Sequence, residues 1–344
     1  MKAVNREAKN PRDWKPAENL PKAIAALRDA KRILFTMHRH PDGDELGSAL
    51  ALACAMKELG KDVVVYNPDE LPYNFRFLPM AGAVVKSLGA EERFDATVAT
   101  DSGSADRLGP EVPGPERRGV MVNLDHHVTT HPFGDVNYVD PEAAAVGVLS
   151  YKIIRGLGHT VSRDAAQCIY ASILADTGSF RYSSTDPESL RIAAELVEAG
   201  VEPWEMTVQV YEQQPLARMK LLAEVLSTLE VAEGGKLATL TITQAMISRT
   251  GTTHDLTDGF INHARSIDGV EVAASFTEPA PDALAKGEKP GWRVSFRSRG
   301  RVDVSKVAQA FGGGGHKNAA GCTVDGPEAD VRSRIAAEIH KQLA

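Results

Sequence analysis

The sequence has few cysteines, and they lie far apart. Cys54, Cys168 and Cys322 are the three cysteines of the chain, and none of them belongs to a C-x-x-C pair. A disulfide framework would need more numerous and more closely spaced cysteines, so this count argues against one. We expect reduced and mostly buried thiols. A catalytic cysteine is the alternative.

Long apolar runs and an excess of positive charge are also missing. No apolar stretch approaches the roughly 18–20 residues that span a bilayer. Residues 1–19 are polar and lack the apolar core of a signal peptide. We therefore expect a cytoplasmic protein that does not bind membranes. The formal net charge of −7 is unlike that of proteins that coat long duplex nucleic acid, so duplex nucleic acid is not an expected partner and any phosphate-binding surface should be local.

The first half of the chain alternates β-prone and helical segments. Its 344 residues, with 43% hydrophobic and 25% charged residues, suit a globular protein of one large domain or two ordinary ones. Short strands are predicted at residues 32–37, 62–66, 96–100 and 119–124, and helices at residues 46–59, 144–157, 163–175 and 187–199. The alternation predicts an α/β fold with a mostly parallel sheet and helices on both faces.

The second half changes to period-two alternation, which predicts a smaller α/β domain with a mixed sheet. Strands are predicted at residues 226–232, 236–243, 270–278 and 292–298, helices at 304–311 and 328–343, and a flexible loop at 279–291. A helical connector, interrupted near Pro215, precedes them. The predicted organisation is an N-terminal extension (1–21), a catalytic domain (22–204), a helical linker (205–225) and a substrate-binding domain (226–344).

Carboxylates and imidazoles follow apolar runs at four places in the first half. In a parallel sheet, ligands bind beyond the carboxyl ends of the strands, so residues that are distant in sequence can meet there. Carboxylate and imidazole groups together suit hard-to-borderline divalent metals. The sequence therefore predicts a site for two metal ions and phosphate-ester hydrolysis. The candidate metal ligands are His38, Asp42, Asp44, Asp101, His126 and Asp176, and the candidate catalytic residues are Asp101, Asp125 and His127.

The first of these clusters is predicted to be a tight turn. Pro41 and Gly43 disfavour a regular helix. Such a turn would aim His38 and Asp42 one way and Asp44 towards a neighbouring point. That divergence is what two ions about 3.5–4 Å apart require.

Asp101 is the expected bridge between the two ions. Asp125 is expected to orient a neighbouring histidine. Adjacent histidines point in different directions from an extended backbone, so one can bind a metal while the other faces another side of the pocket.

Each motif alone has an ordinary alternative: a turn for residues 42–44, a polar loop for residues 125–127 and a helix end for Asp176.

A second candidate group is a glycine-rich string, Gly312 to Gly315, followed by His316. Glycines let a backbone approach phosphate oxygens closely, and His316 could donate to the same phosphate. Upstream, alternation is expected to send Arg297 and Arg299 to one face, where guanidinium groups suit phosphate or base. The alternatives are a flexible turn and a solvated basic strand face. The predicted substrate-binding residues are His127, Arg297, Ser298, Arg299, Gly313, Gly314, Gly315, His316 and Lys317.

Taken together, these motifs resemble the DHH phosphoesterase superfamily from about residue 22 onward. The matching strings are His38-x-x-Pro-Asp42-Gly-Asp44, Asp101, Asp125-His126-His127 and Asp176-Thr-Gly, and Gly313-Gly-Gly-His316 resembles the GGGH signature of the DHH-associated C-terminal domain. The sequence looks nearest to the short two-domain subgroup of NrnA-type oligoribonucleases and pAp phosphatases.

The resemblance implies a metal centre, with manganese as the usual ion and Mg²⁺ or Co²⁺ as substitutes. It assigns the first ion to His38, Asp42 and Asp101, and the second to Asp44, Asp101, His126 and Asp176, with His127 near the scissile phosphate. The C-terminal domain would hold the rest of the nucleotide, and the linker would let the two halves close. Two departures from the family pattern are Glu45, where a small residue is common, and residues 143–147, where Ser and Thr are common.

The implied activity is manganese-dependent hydrolysis of very short oligoribonucleotides and linear dinucleotides such as pApA to 5′-mononucleotides. A pAp 3′-phosphatase activity and a cyclic-di-AMP phosphodiesterase activity are further candidates. An exopolyphosphatase or pyrophosphatase, and a non-catalytic nucleotide-sensing module, are the alternatives. The expected partner is short single-stranded RNA or a dinucleotide, and a homodimer is left open.

Overall fold

The computed structural model describes residues 14–280 and 290–343. Most of the predicted N-terminal extension and much of the predicted loop at 279–291 lie outside the described residues. The chain divides into two compact units, with the boundary between Gln213 and Gln214. Within the described part, no helix has both the length and the apolar character that crossing a membrane requires.

The N-terminal unit contains a six-stranded sheet in which every neighbouring pair is parallel. Its strands are β1 (Arg32–Met37), β2 (Asp62–Tyr66), β3 (Val84–Val85), β4 (Ala96–Thr100), β5 (Val120–Asp125) and β6 (Val136–Val139). They lie in the order β3-β2-β1-β4-β5-β6. The predicted α/β class is confirmed, and the edge strands β3 and β6 are additions that the sequence patterns did not indicate.

Helices pack against this sheet, and four of them lie at the four helical segments predicted for the first half of the chain. The helices of the N-terminal unit are α1 (Pro16–Asp29), α2 (Gly43–Glu58), α3 (Pro115–Arg118), α4 (Val146–Gly156), α5 (Arg163–Thr177), α6 (Pro187–Glu198) and α7 (Pro203–Thr207), which runs into a π-helical turn (Val208–Glu212). Short 3-10 turns occur at Tyr73–Phe75, Ala81–Ala83 and Ala105–Arg107.

The two faces of the sheet are covered differently. Ile33 and Phe35 of β1 belong to the main core, together with residues of α1, α2, α4 and α5. Leu34, which alternates with them, packs instead with Tyr66 and the loop residue Phe94. The long helices therefore pack mainly on one face, and loop segments cover much of the other.

Helix α2 begins earlier than the sequence predicted. Asp42 is its N-cap and Gly43 its first residue, so the prediction of a non-helical turn is wrong from residue 43 onward. Pro41 precedes the cap, and the amide of a first helical residue has no helical partner to lose, so neither residue blocks the helix. Gly43 has a packing reason, because a Cβ there would collide with the ring of Phe75.

Helix α2 also approaches α5 closely, and Gly47 permits this contact. A Cβ on Gly47 would lie 2.5 Å from the carbonyl oxygen of Cys168, which is a backbone atom that cannot simply rotate away. Because α2 carries Asp44 and α5 carries Asp176, this contact brings two acidic residues of the candidate site together.

Gly47→Ala is therefore expected to destabilise the protein. Overpacking costs about 1–3 kcal/mol, and we expect the upper part of this range because the colliding atom is backbone. The gain in helix propensity is only about 1 kcal/mol. Thermal unfolding should show a lower melting temperature than the wild type. Gly82→Ala is the matched control, since a Cβ at Gly82 has no neighbour within 4 Å. Equal or higher stability of Gly47→Ala would contradict the packing argument.

The C-terminal unit has its own six-stranded sheet, in the order β11-β12-β10-β9-β8-β7. Its strands are β7 (Glu230–Ala232), β8 (Leu237–Ile242), β9 (Val272–Thr277), β10 (Trp292–Ser298), β11 (Gly314–His316) and β12 (Ala319–Val324). The β8–β9 pair is parallel and the other pairs are antiparallel. The predicted mixed sheet is confirmed.

The helices of this unit are α8 (Leu216–Leu226), α9 (Gln244–Thr250), α10 (Ile261–Arg265), α11 (Val304–Gln309) and α12 (Glu328–Leu343), with 3-10 turns at Glu233–Gly235 and His254–Thr257. Residue 226, predicted to start a strand, ends α8 instead. Most of α8 falls in the segment predicted as a linker. Leu221, Leu222 and Val225 of this helix are buried in the same cluster as Leu240 and Phe260, so they belong to the core of the C-terminal unit.

Candidate active site

Strand register brings the first candidate residues together. Met37 of β1 pairs with Thr100 of β4, and Thr100 pairs with Leu124 of β5. His38 follows Met37, Asp101 follows Thr100 and Asp125 follows Leu124. These three side chains begin at the carboxyl edge of three adjacent parallel strands, where ligands bind in open α/β sheets.

Asp101 lies at the centre of the cluster. Its Oδ1 is 3.2 Å from Nδ1 of His127 and 3.6 Å from Nε2 of His126, and its Oδ2 is 3.9 Å from Nε2 of His38. Only 4% of the residue is exposed. Its backbone is left-handed, with φ of 51°, which aspartate tolerates better than most residues. One buried carboxylate thus faces three imidazoles.

Asp44 reaches the cluster from the first turn of α2. Its carboxylate accepts hydrogen bonds from the backbone N–H of Val146, at 3.0 Å, and from the hydroxyl of Ser172. Its Oδ2 lies 3.6 Å from Nε2 of His126. Val146 is the first residue of α4, so the helix N-terminus also favours the negative charge.

His126 is oriented by a backbone contact. Its Nδ1 lies 3.0 Å from the carbonyl oxygen of Ala143, which leaves Nε2 facing the cluster, 3.1 Å from Oδ2 of Asp176. Ala143 and Val146 belong to the stretch that departs from the family pattern. Their contacts with the site come from backbone atoms, so the missing Ser and Thr side chains do not remove them.

Asp125 lies behind His127 rather than in the centre. Its Oδ1 is 2.8 Å from Nδ1 of His127 and accepts the backbone N–H of both His126 and His127, and its Oδ2 accepts the hydroxyl of Thr130. Burial alone would lower the pKa of His127, but Asp101 and Asp125 raise it to about 10. The ring of His127 is thus held in one orientation with its Nδ1 occupied.

Glu45, which the sequence marked only as a departure from the family pattern and not as a metal ligand, is a residue of the site. It is fully buried, and its Oε1 is 3.1 Å from Nε2 of His38, whose Nδ1 is 2.7 Å from the carbonyl oxygen of Arg39. Asp42, in contrast, is exposed, and its Oδ1 accepts the N–H of Asp44. The spacing Asp-x-x-Glu is a capping-box signature, and it could have indicated that Glu45 turns back towards residue 42.

The cluster has the chemistry of a cation site. Burial raises the pKa of Asp44 well above its ordinary value, and the Asp176 and Asp101 carboxylates raise it further. Burial does the same to the pKa of Glu45, with Asp42 adding to the effect. Oδ1 of Asp101 faces Nδ1 of His127 at 3.2 Å and Nε2 of His126 at 3.6 Å. Crowded, buried carboxylates are expensive without a counter-charge, so this donor set fits divalent ions.

One side of the cluster remains accessible. The His127 and Asp176 side chains keep 15% and 27% of their surface exposed, whereas Asp44 is fully buried. A ligand can therefore approach where His127 and Asp176 lie.

In the C-terminal unit, the glycine-rich string forms part of a hairpin. Strand β11 pairs with β12, and Lys317 and Asn318 form the connection. A Cβ on Gly313 would collide with the carbonyl oxygen of Gly321, and Gly315 has a φ of 135°. These glycines are therefore needed for close strand packing, whatever else they bind. His316 is the last residue of β11.

Strand β10 ends at Ser298, so the alternation that was expected to place Arg297 and Arg299 on one face does not extend to Arg299. Arg297 lies in the strand and is partly buried, whereas Arg299 follows it, is exposed and donates to the carbonyl oxygens of Ser266 and Ile267 at 3.3 Å. Ser298 is 3% exposed and donates to the carbonyl oxygen of Val302. Arg299 and Ser298 thus already have structural contacts within this unit.

The fold and the cluster define an α/β protein with a buried acid–imidazole site at the carboxyl edge of a parallel sheet. Residues 32–173 match the model of the DHH family, N-terminal domain, and residues 234–344 match the DHHA1 domain. A protein of Thermus thermophilus named bifunctional oligoribonuclease and PAP phosphatase NrnA is 33% identical over 98% of this chain and 97% of its own. The chain therefore belongs to the DHH family, in its NrnA-type branch, and is a hydrolase acting on phosphoester bonds.

Two solved structures share the fold. An exopolyphosphatase-related protein from Bacteroides fragilis has a TM-score of 0.82 at 23% identity, covering 94% of this chain and 96% of that one. RecJ from Thermus thermophilus, in complex with Mn²⁺, has a TM-score of 0.54 at 16% identity, covering 96% of this chain and 56% of that one.

Proposed function

We propose that the protein is a manganese-dependent phosphodiesterase that hydrolyses very short oligoribonucleotides and linear dinucleotides such as pApA to 5′-mononucleotides. We further propose that it removes the 3′-phosphate of pAp. The observation that carries this proposal is the position of Asp101, whose carboxylate lies within 3.9 Å of three imidazole nitrogens. The name of the Thermus thermophilus relative supports the choice of substrates.

Two divalent cations would be held by this cluster. His38, Asp42 and Asp101 would bind one. Asp42 would use Oδ2, since its Oδ1 accepts the N–H of Asp44 in the helix cap. The second would be bound by Asp44, Asp101, His126 and Asp176. Such a pair would supply Lewis acidity for the attack of water on phosphorus.

The remaining residues bind and orient the substrate. His127, with Nδ1 held by Asp125, would donate through Nε2 to an oxygen of the scissile phosphate. In the C-terminal unit, Arg297, Lys317, His316 and the amides of residues 313–315 would bind phosphate or base. The net charge of −7 disfavours a long polyanion on the surface outside such a local site, so short substrates fit better.

A substrate panel tests the proposal. With Mn²⁺ present, pApA and two- to five-nucleotide RNAs should be hydrolysed about tenfold or more faster than a twenty-four-nucleotide RNA, which is about 1.4 kcal/mol of discrimination. Phosphate should be released from pAp, and activity should disappear with a chelator and return with Mn²⁺. Cyclic di-AMP is included as a further candidate substrate.

The panel also separates the alternatives. Fast release of phosphate from pyrophosphate or polyphosphate with little cleavage of pApA would replace the proposal by a pyrophosphatase or exopolyphosphatase. Binding of nucleotides without turnover in Mn²⁺ would indicate a sensing module. Equal rates on the longest and shortest RNAs would overturn the preference for short substrates.

A further inference from the structure

The carboxylate of Glu45 has an unusual environment for a helix-capping residue. Its Oε1 accepts the backbone N–H of Asp42 and completes the capping box of α2. Its Oε2 accepts no hydrogen bond among the described residues, and the whole residue is 0% exposed. The cap therefore explains one oxygen and leaves the second oxygen buried and unsatisfied.

A buried carboxylate oxygen without a partner is costly, typically by more than 1–3 kcal/mol. A capping box does not require burial, since glutamine serves at the same position and many caps are exposed to water. A second interaction that uses the negative charge would account for this arrangement.

The position of His38 shows that the capping oxygen, Oε1, also faces the acid–imidazole cluster, so a cation there would neutralise the charge of the whole Glu45 carboxylate. Nδ1 of His38 contacts the carbonyl oxygen of Arg39, so Nε2 is the nitrogen available to a metal ion, and this atom lies 3.1 Å from Oε1 of Glu45. Two ligand atoms about 2.1 Å from one ion and at right angles lie roughly 3 Å apart. Ligand atoms of His38, Glu45 and Asp101 all lie within 4.8 Å of one another.

We propose that Glu45 is an additional ligand of the ion held by His38 and Asp101. The inference rests on the proposed function, because it concerns one of its two ions. An added carboxylate strengthens the retention of this ion and favours oxygen-binding metals such as Mn²⁺ and Mg²⁺ over ions that prefer nitrogen. The two ions would then differ in affinity.

Glu45→Gln is the decisive variant, because glutamine keeps the shape and the capping oxygen but removes the charge. Chelator-treated protein is titrated with Mn²⁺, and free Mn²⁺ is followed by electron paramagnetic resonance. We expect two ions per wild-type chain. We expect Glu45→Gln to bind one of them about tenfold more weakly, and the rise in melting temperature caused by Mn²⁺ to be smaller.

The weakened ion is assigned in a His126→Ala background, in which the ion held by Asp44, His126 and Asp176 is removed. Adding Glu45→Gln there should weaken the single remaining site by a similar factor. Glu45→Ala should weaken binding at least as much, and it provides a second test if the glutamine variant is poorly folded.

Ser189→Ala is the matched control for the cap. Ser189 completes the capping box of α6, as Glu45 does in α2, so this change removes a cap of the same kind without touching the cluster. Its Mn²⁺ isotherm should equal that of the wild type. Equal isotherms for Glu45→Gln and the wild type would overturn the inference while leaving the proposed function standing. A wild-type protein that binds no Mn²⁺ would overturn both.

Discussion

Asp101→Asn is expected to abolish every hydrolytic activity of the protein at once. Asp101 is the residue that contacts His38, His126 and His127, so both proposed ions depend on its charge. A loss of about 10³-fold or more in kcat/KM on pApA and pAp alike is expected, since electrostatic stabilisation at such sites commonly contributes this much. Asparagine is preferable to alanine because it tolerates the left-handed backbone at this position.

Metal binding gives this prediction a second measurement. An ion present at a hundred times its dissociation constant stabilises the folded state by about 2.7 kcal/mol per site. Wild-type protein should therefore melt higher in Mn²⁺ than in chelator, and Asp101→Asn should lose most of that difference. Asp62→Asn is the control, because Asp62 is exposed at the start of β2 and pairs with Arg32. Two ions bound to Asp101→Asn with wild-type affinity would contradict the bridging role.

The parts of the fold that have simple periodicity could be predicted from the sequence. Strands β1, β2 and β4 have the predicted bounds, since each is a short β-prone run. Strands β3 and β6 have two and four residues, which is too short for alternation to stand out. The sequence does not predict the early start of α2, because proline and glycine usually break helices, although before and at the first helical position they are compatible with a helix.

The positions of those site residues that directly follow a predicted strand could be predicted from the sequence. His38, Asp101 and Asp125 follow from the register of adjacent strands, because a parallel sheet aligns its carboxyl ends. Glu45 could not be found in this way, because a glutamate in the first turn of a helix usually faces water. Its burial depends on tertiary packing around α2, which no local pattern records.

Asp125→Asn is expected to lower kcat by about 10²–10³-fold while leaving both metal ions bound. The Asp125 carboxylate touches Nδ1 of His127 and the backbone N–H of residues 126 and 127, so it orients the ring that we propose donates to the phosphate. Losing a carboxylate that fixes a histidine commonly costs 10–100-fold, and more where the ring's tautomer changes. Steady-state kinetics on pApA, with Mn²⁺ content measured on the same sample, separate catalysis from metal loss.

Thr130→Val gives a graded version of the same perturbation. Its hydroxyl donates to the other oxygen of Asp125, so valine keeps the volume and removes one support of that carboxylate. A smaller fall in kcat than for Asp125→Asn, again with unchanged metal content, would place Asp125 in a positioning role behind His127. If Asp125→Asn instead lost Mn²⁺ in proportion to activity, Asp125 would act through the metal centre and the role given to His127 would fail. Because Asp125 is fully buried and already accepts four hydrogen bonds, the geometry favours the first result.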